Sequence, residues 1–194
     1  STFSIDGKTK SVSYNFEKVR HILKYLCDYE LRLSSILEIG VAMGFVAKGL
    51  MATAQITKYV ATECGDGYIE YMKRTMDVRV EKAKMNKLPY GDNTFDTVFL
   101  FDVLEHIKPT EREESYKELS RVLKDKRRIF INNPSLENPS YHNVGFDNHF
   151  GFTEIEEFAK FINIEIRRVE YYKCAGYKVG CRPFYYHFME LSNI

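Results

Sequence analysis

The hydrophobic positions of the chain follow two periodicities, one typical of helices and one typical of buried strands. Residues 14–30 repeat apolar side chains at helical spacing and predict an amphipathic helix with one buried face. The apolar positions of that segment are Phe16, Val19, Ile22, Leu23 and Leu26. The stretch FDTVFLFD at 95–102 is instead a short continuous apolar run, which predicts a central strand that is buried on both faces.

Helices and strands alternate along most of the chain. Further helices are predicted over 45–52, 67–75 and 111–123, and a fifth is predicted to begin at a T-x-x-E capping box formed by Thr153 and Glu156. The predicted strands lie at 34–40, 56–63, 78–83, 95–102, 127–133, 164–172 and 183–191. Because no helix separates the last two strands, they predict an antiparallel hairpin at the C-terminal edge. The predicted fold is α/β: a doubly wound, Rossmann-like, mostly parallel seven-stranded sheet with helices on both faces.

One predicted connection is much longer than the others. It covers residues 133–152 and follows the fifth strand. A connection of this length usually has a function, and ligands of open α/β sheets bind outside the carboxyl ends of the strands. We therefore expect an active-site loop at about 133–152, with the first helix, at about 14–30, as a cap over the same region.

Composition and charge limit the classes of partner. The 194 residues suffice for one full core, so a single domain over 1–194 is expected, and the polar start of the chain is expected to be a frayed end. A formal net charge of +1 gives no global field to recruit nucleic acid or an anionic membrane. The short basic run KDKRR at 124–128 is expected to be a solvated turn. No apolar run approaches the roughly 18 residues of a membrane span, so we expect a cytoplasmic protein without a membrane partner.

The cysteines do not predict a metal site. They are Cys27, Cys64, Cys174 and Cys181. No two form a C-x-x-C pair, and no histidine lies near them at ligand spacing. We expect free thiols in a reducing compartment and no bound metal.

The stretch ILEIGVAMG at 36–44 predicts a glycine turn between a buried strand and a helix, where backbone amides approach a ligand. A dinucleotide site would need G-x-G-x-x-G, but Ala42 and Phe45 stand where the second and third glycines belong. A phosphate loop would need Gly-Lys-Ser/Thr, which the following residues do not contain. The turn therefore favours a ligand other than a dinucleotide or a nucleoside triphosphate.

Two acids near this turn indicate which ligand it suits. Glu38 precedes Gly40 by two residues, and its carboxylate would repel a diphosphate but attract a positively charged ligand. Glu63 ends the next predicted strand, where a carboxylate can accept hydrogen bonds from ribose hydroxyls. S-adenosylmethionine (SAM) carries an ammonium, a sulfonium and ribose hydroxyls but no phosphate. The pattern thus favours an adenosyl ligand of this kind.

Four stretches in this order resemble the class I SAM-dependent methyltransferases, especially those that act on small molecules. They are LEIGVAMG, YVATE, KAKMNKLPYGDNTFDTVFLFDVLEHI and ELSRVLKDKRRIFINNPS. The resemblance covers roughly residues 16–172. This chain departs from the family pattern with Ala42 for the middle glycine and KDKRR for a Pro-Gly-Gly turn. It also has Lys82, before Ala83, where the family often places an acid that meets the adenine amino group.

The resemblance implies SAM as the cofactor and S-adenosyl-L-homocysteine (SAH) as the product. The expected cofactor-binding residues are Glu38, Gly40, Ala42, Gly44, Glu63, Cys64, Ala83, Lys84, Phe101 and Asp102. The stretch HFGFT, which begins at His149, resembles a family segment that lies near the acceptor. The expected substrate-binding residues are Tyr141, Tyr14 and His106, and His149 or His142 is the expected general base if the acceptor atom is oxygen.

The function expected from this resemblance is transfer of a methyl group to an O or N atom of a small-molecule metabolite. A structured RNA acceptor is disfavoured because the chain is nearly neutral. The alternative is a non-catalytic SAM-binding regulatory or scaffold protein, since Lys82 could weaken the site and no base is unambiguous. The aromatic-rich tail FYYHF leaves a homodimer open.

Overall fold

The computed structural model describes residues 2–5, 8–28, 33–53, 56, 58–136, 150–174 and 184–194. Its main sheet contains seven strands in the spatial order β5-β4-β3-β6-β7-β9-β8. Their bounds are β3 (Ser35–Ile39), β4 (Lys58–Glu63), β5 (Arg79–Lys82), β6 (Phe95–Phe101), β7 (Leu123–Pro134), β8 (Glu165–Cys174) and β9 (Phe184–Ser192). Strands β3 to β7 pair in parallel, while β9 is antiparallel to both β7 and β8. The predicted fold class is confirmed, including its antiparallel C-terminal edge.

Five α-helices accompany the sheet in the described part of the chain. They are α1 (Val12–Asp28), α2 (Phe45–Thr53), α3 (Asp66–Thr75), α4 (Pro109–Val122) and α5 (Phe152–Phe161). A 3₁₀-helix spans Leu104–His106, directly after β6. No helix in the described ranges is long and apolar enough to cross a membrane.

The core lies on both faces of the sheet, because alternate residues of a strand point to opposite sides. On one face, Ile36, Phe99 and Phe130 pack against α1 and α2. On the other face, neighbouring residues such as Leu37 and Val98 pack against α4 and α5. The central strands are therefore continuous apolar runs in the sequence. Polar residues lie at the carboxyl ends of these strands.

Several local predictions were wrong. The chain start is not frayed, because β1 (Thr2–Ile5) and β2 (Lys8–Ser11) form a separate antiparallel hairpin. The basic run at 124–128 lies within β7 rather than in a turn, since it borders the parallel pairing with β6 and Lys124 meets the carboxylate of Asp96.

The connection predicted at 133–152 is shorter in the structure. β7 extends to Pro134, and α5 already begins at Phe152. The cap of α5 also differs from the predicted pair of Thr153 and Glu156: the carboxylate of Glu154 accepts a hydrogen bond from the Gly151 backbone N–H at 2.8 Å. This contact fixes the helix start at the exit of the connection, of which 137–149 lie outside the described residues.

Candidate functional site

Two adjoining cavities open at the carboxyl ends of β3, β4 and β6. The larger, of about 320 Å³, lies on the side of β4 and β5, and the smaller, of about 250 Å³, lies beneath α1. Gly40 and His106 line both cavities. The two cavities therefore form one cleft, which passes between the turn after β3 and the 3₁₀-helix after β6.

Gly40 lies where the two cavities meet. Its φ of +71° lies in the left-handed region, which glycine adopts without steric cost. A Cβ at this position would lie 2.8 Å from Cγ2 of Val103, another residue that lines the larger cavity. The backbone N–H of Gly40 donates to the carbonyl of Thr62 at 2.8 Å, which ties the turn to β4.

The other two positions of the glycine turn have different surroundings. Ala42 lines the smaller cavity. Its backbone φ of +47° lies in the left-handed region, which L-residues rarely adopt. Gly44 has a φ of +66° but lines neither cavity. A Cβ there would collide with the side chain of Met72, so Gly44 allows α2 to pack closely on α3. The structure places Gly40 and Ala42 in the cleft and Gly44 behind it.

Glu63 closes the turn from the neighbouring strand. Its buried carboxylate accepts hydrogen bonds from three backbone N–H groups: Ala42 at 2.9 Å, Cys64 at 2.7 Å and Gly65 at 2.9 Å. A carboxylate offers about four acceptor sites, so further capacity remains for a ligand hydroxyl. Glu63 also lines the larger cavity. The same side chain thus organises the turn and presents an acceptor to the cleft.

Glu38 is a buried acid at the end of β3. It is 3% exposed, lines the smaller cavity and accepts a hydrogen bond from the hydroxyl of Tyr59. Burial raises the pKa of its carboxyl group to about 8, and the charge of Lys18 opposes that rise. Glu38 is therefore mostly neutral at pH 7 and is poised to ionise when a cation arrives.

The structure answers the question that Lys82 raised. Its ammonium pairs with Asp66 at 2.7 Å, both side chains are largely exposed, and Lys82 lines neither cavity. The residues that follow line the larger cavity: Ala83, Lys84, Met85 and Asn86. Lys82 therefore points away from the cleft, and the larger cavity is walled by this segment and by Cys64.

Phe101 and Asp102 lie at the base of the smaller cavity, where β6 ends. Asp102 has a φ of +56°, and its backbone N–H donates to the carbonyl of Asn132 at 2.7 Å. Its carboxylate accepts a hydrogen bond from the Asn132 amide at 2.8 Å and forms an ion pair with Lys18 of α1. The side-chain amide oxygen of Asn132 in turn accepts a hydrogen bond from the hydroxyl of Tyr172 at 2.5 Å. The Asp102 carboxylate is therefore held by Asn132 and by Lys18.

The 3₁₀-helix contributes a histidine and a buried acid. His106 is exposed, lines both cavities and is the last residue of this helix. Glu105 beside it is fully buried, and neither carboxylate oxygen has a hydrogen-bond partner among the described residues. Burial, reinforced by the nearby charge of Asp102, raises the Glu105 pKa well above its usual range. Burial thus favours the neutral form of the Glu105 carboxyl group.

Besides Gly44, which lies behind the cleft, four predicted residues are not placed in it by the described structure. Tyr141, His142 and His149 lie outside the described residues, and Tyr14 lies in α1, where only its backbone is described. Within the described ranges, no group of three or more His, Cys, Asp or Glu side chains could hold a metal ion. Sequence reasoning missed Lys18 and Asn132, since no motif marks them; the two asparagines that end the apolar run of β7 were the only signal for Asn132.

One region of the chain is similar to a known family. Residues 36–126, from β3 to the start of β7, match the family model described as a methyltransferase domain. This match covers just under half of the chain. A search of curated proteins found no match.

Solved structures of methyltransferases share the fold of this chain at low sequence identity. A SAM-dependent methyltransferase from Thermotoga maritima superposes with a TM-score of 0.72 at 16% identity, covering 93% of this chain and 90% of its own. One from Methanosarcina mazei gives 0.68 at 14%, covering 88% and 97%. The magnesium protoporphyrin IX methyltransferase of Synechocystis, solved with bound SAH, gives 0.67 at 14%, covering 93% and 83%.

The lining of the cleft is compatible with SAM. The absence of a Cβ at Gly40 lets a ligand approach the backbone, as a bulky adenosyl group requires. Acids lie near the ends of both β3 and β4 at the cleft, which suits ribose hydroxyls and positive charges. Among the described residues that line the larger cavity, Lys84 and Lys108 are balanced by Glu63 and Glu111, so this lining offers no excess of cations for a diphosphate. Volume and charge therefore both match SAM.

Proposed function

We propose that the chain is a class I SAM-dependent methyltransferase, which transfers the methyl group of SAM to an O or N atom of a small-molecule metabolite. The observation that carries the proposal is the near-neutral net charge of +1, since an RNA enzyme would normally carry a basic face. The two cavities, of about 320 Å³ and 250 Å³, together give a volume in the range of small-molecule sites, and we assign them to the cofactor. We further propose that residues 1–194 act as one domain, in the cytoplasm and without a nucleic-acid partner, and that a homodimer is the oligomer to test.

We propose the following division of the site. Glu63 binds the ribose, and Cys64, Ala83 and Lys84 enclose the adenosine in the larger cavity. Glu38 and Asp102, with the backbone at Phe101, neutralise the cationic end of the cofactor in the smaller cavity, and the backbone of Gly40 and Ala42 lies between the two cavities. Gly44 supports the turn from behind.

The chain supplies alignment and electrostatics for an in-line displacement, in which SAM when bound supplies an electrophilic methyl group and its leaving group. Holding the acceptor in line can account for roughly 7–11 kcal/mol of the barrier. An amine acceptor that arrives neutral needs no strong base. A hydroxyl acceptor must lose its proton, and we propose that His149 or His142 accepts it, with Tyr141, Tyr14 and His106 as further acceptor contacts.

The proposal is tested by following the label from methyl-labelled SAM. The protein is incubated with a cell extract that has been separated into small metabolites, RNA and protein, and each fraction is counted. We expect label in the small-metabolite fraction, and loss of roughly 10²–10⁴-fold in rate in His149→Ala or His142→Ala if the product is an O-methyl compound. His187→Ala, in β9, is the matched control. Label confined to RNA or to protein would overturn the proposed acceptor class.

A pH dependence follows from Glu38. Its pKa of about 8 in the folded protein exceeds the ordinary value of 4.5, so the carboxyl group is protonated at neutral pH and ionises as the pH rises toward 8. A cationic ligand nearby favours the ionised form. We therefore expect SAM binding at pH 7 to release a proton and SAM affinity to increase between pH 6 and pH 8.

The proton release is measured by calorimetric titration in buffers of different ionisation enthalpy. Glu38→Gln should abolish both the release and the rise of affinity with pH. SAH lacks the sulfonium charge, so its binding should release fewer protons than SAM binding. An unchanged release in Glu38→Gln would assign the titrating group elsewhere.

A further inference from the structure

Lys18 is a cation placed in the cofactor cleft by a helix outside the matched family domain. It lies on α1, its side chain is 13% exposed, and it lines the smaller cavity together with Glu38, Gly40 and Asp102. Among the described residues that line this cavity, it is the sole lysine or arginine. The desolvation of a largely buried ammonium is costly. Its presence in an otherwise acidic cavity therefore calls for an explanation.

The position of Lys18 is fixed by its surroundings. Its ammonium is paired with Asp102, which Asn132 holds from the other side. One turn further along α1, Ile22 is fully buried against the sheet, and the hydroxyl of Tyr25 donates to Glu190 of β9 at 2.9 Å. Helix α1 is therefore anchored on the sheet, so Lys18 is held in the cavity rather than reaching it from solvent.

The chemistry of the ligand explains such a cation. The methionine end of SAM carries an α-carboxylate beside its ammonium and sulfonium groups. Glu38 and Asp102 can balance the positive groups, but they would repel the carboxylate. We propose that Lys18 binds the α-carboxylate of the cofactor, with Asp102 and Asn132 as the positioning residues that hold the ammonium for it. The proposal rests on the methyl donor and not on the class of acceptor.

Two other roles for Lys18 make different predictions. If Lys18 merely offsets the charges of Glu38 and Asp102, its removal should strengthen the binding of cationic SAM relative to SAH. If Lys18 only positions α1 or Asp102, its removal should weaken every adenosyl ligand to the same extent. If Lys18 instead contacts the α-carboxylate, its removal should weaken only those ligands that carry this carboxylate.

The test is calorimetric titration with SAM, SAH and decarboxylated SAM, which lacks the α-carboxylate. Wild-type protein should bind SAM roughly 10- to 100-fold more tightly than decarboxylated SAM, the range expected for a charge-assisted hydrogen bond. Lys18→Met should weaken SAM and SAH by that factor and leave decarboxylated SAM unchanged. Lys24→Met, on the exposed side of the same helix, is the matched control.

The outcomes separate the proposal from its rivals. Equal weakening of all three ligands, or tighter binding of SAM, in Lys18→Met would overturn it. If Lys18→Met does not fold, as judged by thermal unfolding, the proposal is tested on the wild-type protein and on Lys18→Arg instead. Equal affinity of the wild-type protein for SAM and decarboxylated SAM would exclude a contact to the carboxylate. Because the readout is affinity, a failure of the proposed acceptor class leaves the result unaffected.

Discussion

Replacing Glu63 by alanine is expected to weaken the binding of SAM and of SAH by roughly 10²-fold or more. A hydrogen bond to a charged group contributes about 1.5–3 kcal/mol, and each 1.4 kcal/mol is a factor of ten in affinity. The Glu63→Ala protein would lose the proposed hydrogen bonds to the ribose and also the three hydrogen bonds from backbone N–H groups that shape the turn after β3. Both losses should weaken binding, because Gly40 and Ala42 of this turn line the cleft.

Glu63→Gln and Lys82→Ala complete this experiment. The glutamine keeps one acceptor oxygen but loses the other, so its affinity for SAM should lie between those of wild type and Glu63→Ala. Lys82 points out of the cleft toward Asp66, and Lys82→Ala should leave SAM affinity within about twofold of wild type, as expected for a surface ion pair. Wild-type affinity in a folded Glu63→Ala protein would refute the ribose assignment.

Gly40→Ala is expected to produce the second large loss. Its left-handed backbone costs an L-residue about 1–2 kcal/mol, and the added methyl group would lie 2.8 Å from Val103, which lines the larger cavity. We expect the free energy of unfolding to fall by about 1–2 kcal/mol and SAM affinity to fall by about 10-fold or more. Chemical denaturation and calorimetric titration measure the two effects separately.

Two further variants identify the cause of the Gly40→Ala effect. Adding Val103→Ala removes the collision but not the backbone strain, so the double variant should recover part of the SAM affinity and little of the stability. Gly91→Ala is the control glycine, since its Cβ would meet only Thr94 at an ordinary 3.7 Å. A Gly40→Ala protein that binds SAM like the wild type would show that the turn does not limit the approach of the cofactor.

The elements that depend on local pattern could be predicted from the sequence. The apolar runs and the alternation with helices specified the strands, and the acids at Glu38 and Glu63 marked the edge of the sheet where the cleft lies. The hairpin at the C-terminal edge was foreseen because no helix separates its strands. That β9 lies between β7 and β8 was not foreseeable, because a pair of adjacent strands can join a sheet through either member.

The parts of the site that depend on tertiary contacts could not be predicted. Lys82 seemed to intrude on the adenine pocket, but its direction is set by the ion pair with Asp66 on α3. Lys18 looked like one of several polar residues on an amphipathic helix, and only the packing of α1 places it over Asp102. The role of Asn132 depends on the pairing of β6 with β7, which brings its side-chain amide to the carboxylate of Asp102.

The most direct test of the account is calorimetric titration of the wild-type protein with SAM and SAH, with NADH as the control ligand. The account predicts that both adenosyl ligands bind at one site with micromolar affinity and that NADH does not bind. Acids such as Glu38, Glu63 and Asp102 line the cleft, and Gly40 is the one glycine in its described lining, which disfavours a diphosphate. A folded protein that binds neither SAM nor SAH, or that prefers NADH, would contradict the assignment of the cleft.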